Sequence, residues 1–450
     1  MSKEQLIEQL NSFDAATRRK AILELSKETF TASSDNVNMH LHSFCSFNAE
    51  GWSPSRLAYE YRKAGLFAAG IIDFDVMDGM KEYHEAGELL GLRTSVGIET
   101  RAFLTEFADK EIDSPGEPGV SYIAAGGFGL DLAEGSAQKK TLDHYRQTSH
   151  ERNKALISRI NPNVPDIAID YEKDAITLTP SGNATERHII KAYINKSLAL
   201  FKDEARLISY WSGLLGKNAE DTKALLAKMP AMEEQVRAKF AKRGGFGYVQ
   251  PTSQTFPKVE DFFGWVRSCE AIPMESWLDG TSEGEKDPVA LLELSRSKGA
   301  AALNIIPDRN WNIKDAEAKA KKTANLKRIV EVATGMNLPL HIGTEMNKLG
   351  QPFMDNLDVP ELSPYKQLFR SGAMIFVGHT VALRFAGFSY VGNNAASAFG
   401  GNITEKNKFF EAVGALPAVT TVTADKLRNA GKDKAFSIIN DSVKAGKWMM

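Results

Sequence analysis

Two cysteines in 450 residues, Cys45 and Cys269, are too few for a disulfide framework and lack the paired spacing of a structural zinc site. Their scarcity excludes a disulfide-stapled secreted scaffold and fits a reducing, cytoplasmic setting. No run approaches the roughly 18 apolar residues of a membrane span. The N-terminal MSKEQLIEQLNSFDAATRRKAILEL has no apolar signal-peptide core. Net charge is nearly absent too, since 55 basic residues against 57 acidic ones leave −2. The sequence therefore lacks the electrostatic footprint of a nucleic-acid binder, and any charged ligand has to be met locally. Internal repeats and low-complexity linkers are missing as well. What is present is ordinary for a soluble globular chain: 43% apolar and 25% charged residues, at a length that predicts one large barrel with an insertion, or two domains.

Leu6, Leu10, Ile22 and Leu25 recur at helical spacing among charges, so residues 1–36 read as amphipathic helices packed outside something larger. From residue 37 the texture changes to short apolar runs ending in polar residues: VNMHLHS, FAAGIIDFD, RTSVGIETR and GVSYIAAGG. Helical segments such as SPSRLAYEYRKAGL and GMKEYHEAGELLGL separate them, the alternation of strand and crossover helix. Over 135–265 the alternation gives way to consecutive polar helices, read as a helical insertion. Strand-like runs resume in 266–450 with CEAIPMESW, GAAALNIIPDR, LPLHIGTEM and AMIFVGHT. The expectation is an α/β fold: a distorted TIM-like barrel of seven or eight βα units, split into 37–134 and 266–450. Active sites of such barrels gather at the C-terminal strand ends.

Residues two apart on a strand share a face, so His40 and His42 are able to grip one ion. Other strand ends repeat the pattern with Asp73 and Asp75, Glu99 and Arg101, and Glu345 and Asn347. Polar pairs there are costly unless something binds them. Asp73 and Asp75 read either as helix caps or as residues supporting the ion and the proton transfer. His341, two residues before Gly343, is expected inward, one layer below the ion, and reads equally as core packing and as a ligand. His379, at the end of FVGH, reads as a strand-end substrate contact, and Arg309 and Asn310 as an anion fork after another strand. The SWLDGTSEGE loop reads equally as an anion-binding turn and as a plain Asp-Gly turn. SPGEPG, residues 114–119, reads as a mobile loop. His84, His144 and His150 lie on polar helices and read as solvent-facing.

The segment from MHLHSFCSF to LRTSVGIE resembles the opening of the PHP (polymerase and histidinol phosphatase) superfamily of metal-dependent phosphoesterases. ERHIIKAYI is similar to an Arg-Pro-His-Ile-Ala helix of several members, and IGTEMN stands where the family has Gly-Ser-Asp-x-His. The resemblance implies one ion on His40, His42, Glu99 and Glu345 and an active-site role for His188; apart from it, Arg101 and Arg309 read as cations able to neutralise the substrate's charge, and Asn347 as a substrate contact or a cap of the next helix. Members hold up to three metals. The histidines implied for the second are missing from YIAAGG and IPMESWLDG, and those for the third are replaced by Phe74 and Asn347. One divalent ion is thus expected; two imidazoles and two carboxylates suit Zn, Mn or Fe. The implied activity is hydrolysis of a small anionic substrate, with Asp73 or Asp75 as proton acceptor. The alternatives are mononuclear-metal chemistry at a C–O, C–N or C–C bond of a small carboxylate or sugar acid, and a metabolite-binding barrel without turnover. Barrels with helical insertions often dimerise, so a homo-oligomer is an open expectation.

Overall fold

A computed structural model describes residues 1–450. Two helices, α1 (Lys3–Gln9) and α2 (Ala15–Leu25), precede the barrel and bury Leu10, Ile22 and Leu25 against its core. VNMHLHS forms two short strands, β1 (Val37–Asn38) and β2 (His40–Leu41), broken at Met39. After α3 (Pro54–Lys63) come β3 (Ala68–Phe74), α4 (Met80–Leu90), β4 (Arg93–Phe103) and β5 (Val120–Gly126). The remaining strands are β6 (Ile272–Trp277), β7 (Ala302–Ile305) and β8 (Leu340–Glu345).

The strand order is β1-β3-β4-β5-β6-β7-β8-β2. Because β1 and β2 are consecutive in the chain, the break at Met39 closes the barrel. β1 pairs with β3 (Val37↔Ala68), and β2 pairs with β8 (His40↔Gly343). Two glycines permit this close approach. A Cβ on Gly70 would stand 2.3 Å from the Met39 carbonyl oxygen, and one on Gly343 would stand 2.4 Å from the His40 nitrogen. The expected βα alternation fails at β5, which runs antiparallel to both neighbours. β3 pairs with β4 only as far as Glu99, whereas the β4–β5 pairing continues to Phe103↔Val120. The outer half of this hairpin therefore stands beyond the end of β3, over the mouth of the barrel.

The segment between β5 and β6 holds α5 (Ala137–Ile160), α6 (Glu186–Leu200), α7 (Glu204–Leu215), α8 (Ala219–Leu226), α9 (Met229–Ala241) and α10 (Val259–Ser268). Its middle, from Ile157 to Ala241, has a core of its own around Trp211, Tyr193 and Phe240, separate from that of the barrel. Both ends pack elsewhere: Leu142 and Tyr145 of α5 and Phe262 of α10 join the barrel core.

Beyond β6 lie α11 (Pro288–Lys298), α12 (Asp308–Trp311) and α13 (Ala316–Gly335), and beyond β8 α14 (Lys366–Ala386) and four further helices, α15 (Asn393–Phe399), α16 (Ile403–Ala415), α17 (Thr421–Ala430) and α18 (Lys432–Ala445). AMIFVGHT, expected as a strand, lies inside α14, which is buried on nearly every side. A short apolar run reads alike as an interior strand and as a buried helix, so periodicity alone misassigned it. No helix is long and apolar enough to cross a membrane.

One stability consequence follows from β6. Glu275 is buried with its Oε2 accepting from Ser295 and its Oε1 unpartnered. Burial, opposed by the Ser295 bond and aided by the charge of Glu285, pushes its pKa up to about 8. The folded chain thus holds a proton that the unfolded chain releases near pH 4.5, so stability falls as pH rises through that window, at about 1.4 kcal/mol per unit of displacement. The melting temperature should fall between pH 5 and pH 9, and Glu275→Gln should flatten the fall. An equally steep profile in the variant would refute this account.

Candidate metal centre

His40 closes the barrel in β2, and His42 follows immediately with its N–H donating to the Glu345 carbonyl at 2.9 Å. Glu99 reaches the same place from β4. Its Oε2 lies 3.3 Å from His42 Nε2 and 3.8 Å from His40 Nε2. Donor atoms of these three buried residues lie within 4.8 Å of one another. Neither Nε2 has a hydrogen-bond partner in the protein. A buried polar atom left unmatched costs roughly 1–3 kcal/mol, and here two such atoms and a carboxylate face one point. The donor set fits a divalent cation. Two imidazoles and one carboxylate are the composition of catalytic sites that keep a coordination position open.

The residues behind the donors fix their orientation. His40 Nδ1–H donates to Asn304 Oδ1 at 3.2 Å, and His341 Nδ1–H donates to the same oxygen at 3.0 Å. Asn304 is held in turn by its own N–H bond to Ser276 Oγ. This arrangement assigns the proton of His40 to Nδ1 and leaves Nε2 with its lone pair. Burial, outweighing the Glu99 charge, lowers the His40 pKa and keeps the ring neutral. For His42 burial acts the same way, yet the adjacent Glu99 carboxylate prevails and its pKa is raised. Ser46 Oγ lies 3.4 Å from His42 Nδ1 and donates to Asp73.

Asp73 also accepts from the Ser43 N–H and hydroxyl, so its carboxylate fixes the loop after His42. Asp75 accepts from the Thr100 hydroxyl at 2.6 Å and pairs with Arg152 at 3.4 Å. Glu345 stands outside the converging triad. Its Oε2 accepts from Arg309 at 2.7 Å and from Gln351, and it is held well enough by Arg309 that its pKa is lowered despite burial. Asp75, Glu345 and Met346 all have left-handed backbone (φ 62, 62 and 50°). For residues with side chains this costs of order 1 kcal/mol each and is typical of sites where function constrains the backbone.

Several expected positions fall elsewhere. His379 is no strand-end contact. It sits within α14, fully buried, with its Nε2–H donating to the Gly127 carbonyl and its Nδ1 accepting from the Tyr390 N–H. Both nitrogens are occupied, which makes it a clamp between α14 and the chain after β5. His188, at the start of α6, spends Nδ1 on the Thr185 N–H and packs on Phe47 at 5.0 Å. It lines a cavity of about 530 Å³ between α6, α9 and the loops that follow β2 and β8. Asn347 lies half-buried in the loop after β8. His341 faces inward as expected.

The SWLDGTSEGE loop is no free anion cradle, because the N–H groups of Leu278, Asp279 and Gly280 already donate to Glu285. In the SPGEPG loop Glu117 is tied to Ser114 and Arg101. His84, expected in solvent, is buried, with its Nε2–H donating to the Phe128 carbonyl and its Nδ1 bonded to Thr94. Its helix covers the barrel, so a polar-looking helix face met a polar partner. His144 is exposed and His150 half-buried against Tyr171. Asn304 escaped the sequence reading, although a lone amide inside the apolar run ALNII was a visible anomaly.

No family model matches the chain, and no curated protein does. Two solved structures share part of its shape. One is an amidohydrolase from Chromobacterium violaceum with bound sulfate and no metal, at 13% identity and TM-score 0.46, covering 74% of this chain and 96% of that one. The other, from Bifidobacterium adolescentis, is described as a candidate metal-dependent phosphoesterase, at 17% identity and TM-score 0.45 with the same coverages. Likeness of this extent leaves the chemistry to be read from the residues themselves.

Proposed function

We propose that the chain is a metal-dependent hydrolase of a small anionic substrate, acting through one divalent ion, Zn, Mn or Fe, on His40, His42 and Glu99. The observation that carries this reading is the pair of buried, unpartnered Nε2 atoms converging with a carboxylate at the C-terminal ends of the strands. Glu345 is the proposed fourth donor, since its Oε1 accepts no hydrogen bond while Arg309 holds Oε2. An ion bound there would acidify a water molecule and polarise the scissile bond.

The chain's own groups do the rest. Asn304 holds the His40 ring in the tautomer that offers Nε2, and Asp73 acts on His42 through Ser46 as a positioning residue. Arg309, 41% exposed at its side chain, and Arg101, 21% exposed, supply positive charge toward the substrate. Phosphoester cleavage is the finer form of the proposal. It draws on the PHP resemblance and on the cationic side chains at the mouth. Asp73 or Asp75 is the proposed proton acceptor; Asp73 Oδ2 accepts only the Ser43 hydroxyl, which leaves it a lone pair, and Asp75 is paired with Arg152.

Elemental analysis of protein purified without added metal tests the site, with about one equivalent expected for three converging donors. A panel of phosphomonoesters, carboxylic esters and amides, run with and without chelator, then tests the reaction. Two or three equivalents would restore a multinuclear reading, and the absence of any metal would overturn the hydrolase proposal in favour of a binding protein.

A further inference from the structure

Above the metal centre the hairpin and the insertion bring together charges that do not balance. Arg101 lies two residues beyond Glu99 on the same face of β4, roughly 6.8 Å further along the strand. Tyr122 is its cross-strand partner. Arg152 arrives from α5, and its guanidinium carbon lies 4.9 Å from the centre of the Phe256 ring, against which Arg101 also packs at 4.3 Å. Arg237 from α9 and the adjacent Lys242 share a single carboxylate, Glu186, with Lys242 at 3.0 Å. Arg101 pairs with Glu117 at 3.1 Å and Arg152 with Asp75 at 3.4 Å. Four cations therefore answer to three carboxylates. Glu234, 3.7 Å from Arg237, is the closer partner of Arg187 at 2.9 Å.

Surplus like charge is repulsive, so a cluster with more cations than carboxylates keeps capacity for a further anion. Here all four cations remain partly open to solvent, with side chains 21, 25, 22 and 42% exposed for Arg101, Arg152, Arg237 and Lys242. The local positive field is visible in Glu186. Burial works to raise its pKa, yet Arg237, Lys242 and Arg101 bring it down to about 2.

We propose that Arg101, Arg152, Arg237 and Lys242 form an oxyanion subsite one strand step above the metal centre. The substrate accordingly carries two anionic groups, one at the reacting end and one bound here by a wall that the helical insertion supplies. This rests on the hydrolase reading for the word substrate, whereas the anion site stands on its own residues. The second group is a phosphate or a carboxylate, either of which guanidinium forks accept in paired hydrogen bonds.

The test measures binding of inorganic phosphate, and separately of acetate, by calorimetry to the full chain stripped of metal. The His40→Ala, His42→Ala variant is measured beside it. Phosphate should bind both proteins equally, since the subsite needs no ion. Arg152→Gln with Arg237→Gln should weaken binding about tenfold or more. Lys242→Gln, at the most exposed of the four, leaves the fold undisturbed and should weaken it about threefold. A preference for phosphate identifies a phosphorylated substrate and a preference for acetate a dicarboxylate, both supporting the site. Unchanged binding in Lys242→Gln and in the double arginine variant would overturn it, as would binding lost in the histidine variant or no binding of either anion. Loss of turnover in the histidine variant with phosphate binding intact would uphold both readings, and metal-independent turnover with phosphate binding intact would sink the hydrolase reading alone.

Discussion

Replacing His40 and His42 together by alanine should empty the metal centre and lower turnover by at least ~10³-fold, the several kcal/mol that a Lewis-acidic ion contributes at about 1.4 kcal/mol per decade. The variant deletes two of three converging donors and both imidazoles, leaving only carboxylates, too few ligands for a tightly held transition metal. Folding should survive. The Nε2 atoms removed make no hydrogen bond in the protein, and the bonds lost are two, from His40 to Asn304 and from His42 to Ser46. Added metal should raise the melting temperature of the wild type, since a ligand that binds only the folded state stabilises it, and should leave the variant unmoved. Metal content by elemental analysis and kcat/KM on one substrate decide the matter. A variant that retains its metal and its activity would place the reaction elsewhere in the chain.

The second large effect belongs to a residue that touches neither metal nor substrate. Asn304→Leu should weaken metal binding by about 10- to 100-fold, the usual scale for losing an outer partner of a ligating histidine. Asn304 Oδ1 accepts from both His40 and His341. Leucine fills a similar volume but leaves two buried N–H donors unpaired, each costing roughly 1–3 kcal/mol. The His40 ring then escapes by moving its proton to Nε2, the atom that has to stay bare. ¹⁵N chemical shifts of the imidazoles report that tautomer directly, and a merely structural role would not move them. Asn304→Asp, which keeps an acceptor in the same place, should restore the tautomer. Equal metal affinity in the leucine variant, with the His40 tautomer unchanged, would refute the role.

The histidine pair and Glu99 were legible because each sits at the end of an apolar run, where the two-residue repeat of a strand dictates which side chains share a face. The same rule gave His341 its inward position and read β3, β4, β6, β7 and β8 as strands. It failed where its own premise fails. AMIFVGHT is buried on nearly every side, so its pattern contains no face to detect, and His379 was misplaced with it. Glu285 was invisible as the partner of the Leu278–Gly280 amides because that bond is made by a loop folding on itself.

By itself, then, the sequence determined the barrel class, the helical interruption and the three polar residues that converge, His40, His42 and Glu99, since local periodicity and residue chemistry suffice for these. The tertiary structure alone decided the rest: that Met39 breaks the first strand so that the barrel closes on itself, that β5 turns antiparallel, and that Asn304 stands behind His40. It also decided that Arg152 of α5 packs on the same ring, Phe256, as Arg101, although some fifty residues separate the two arginines and about a hundred separate Arg152 from Phe256. Such contacts depend on chain closure and on the register between distant strands, and no window of neighbouring residues carries that information.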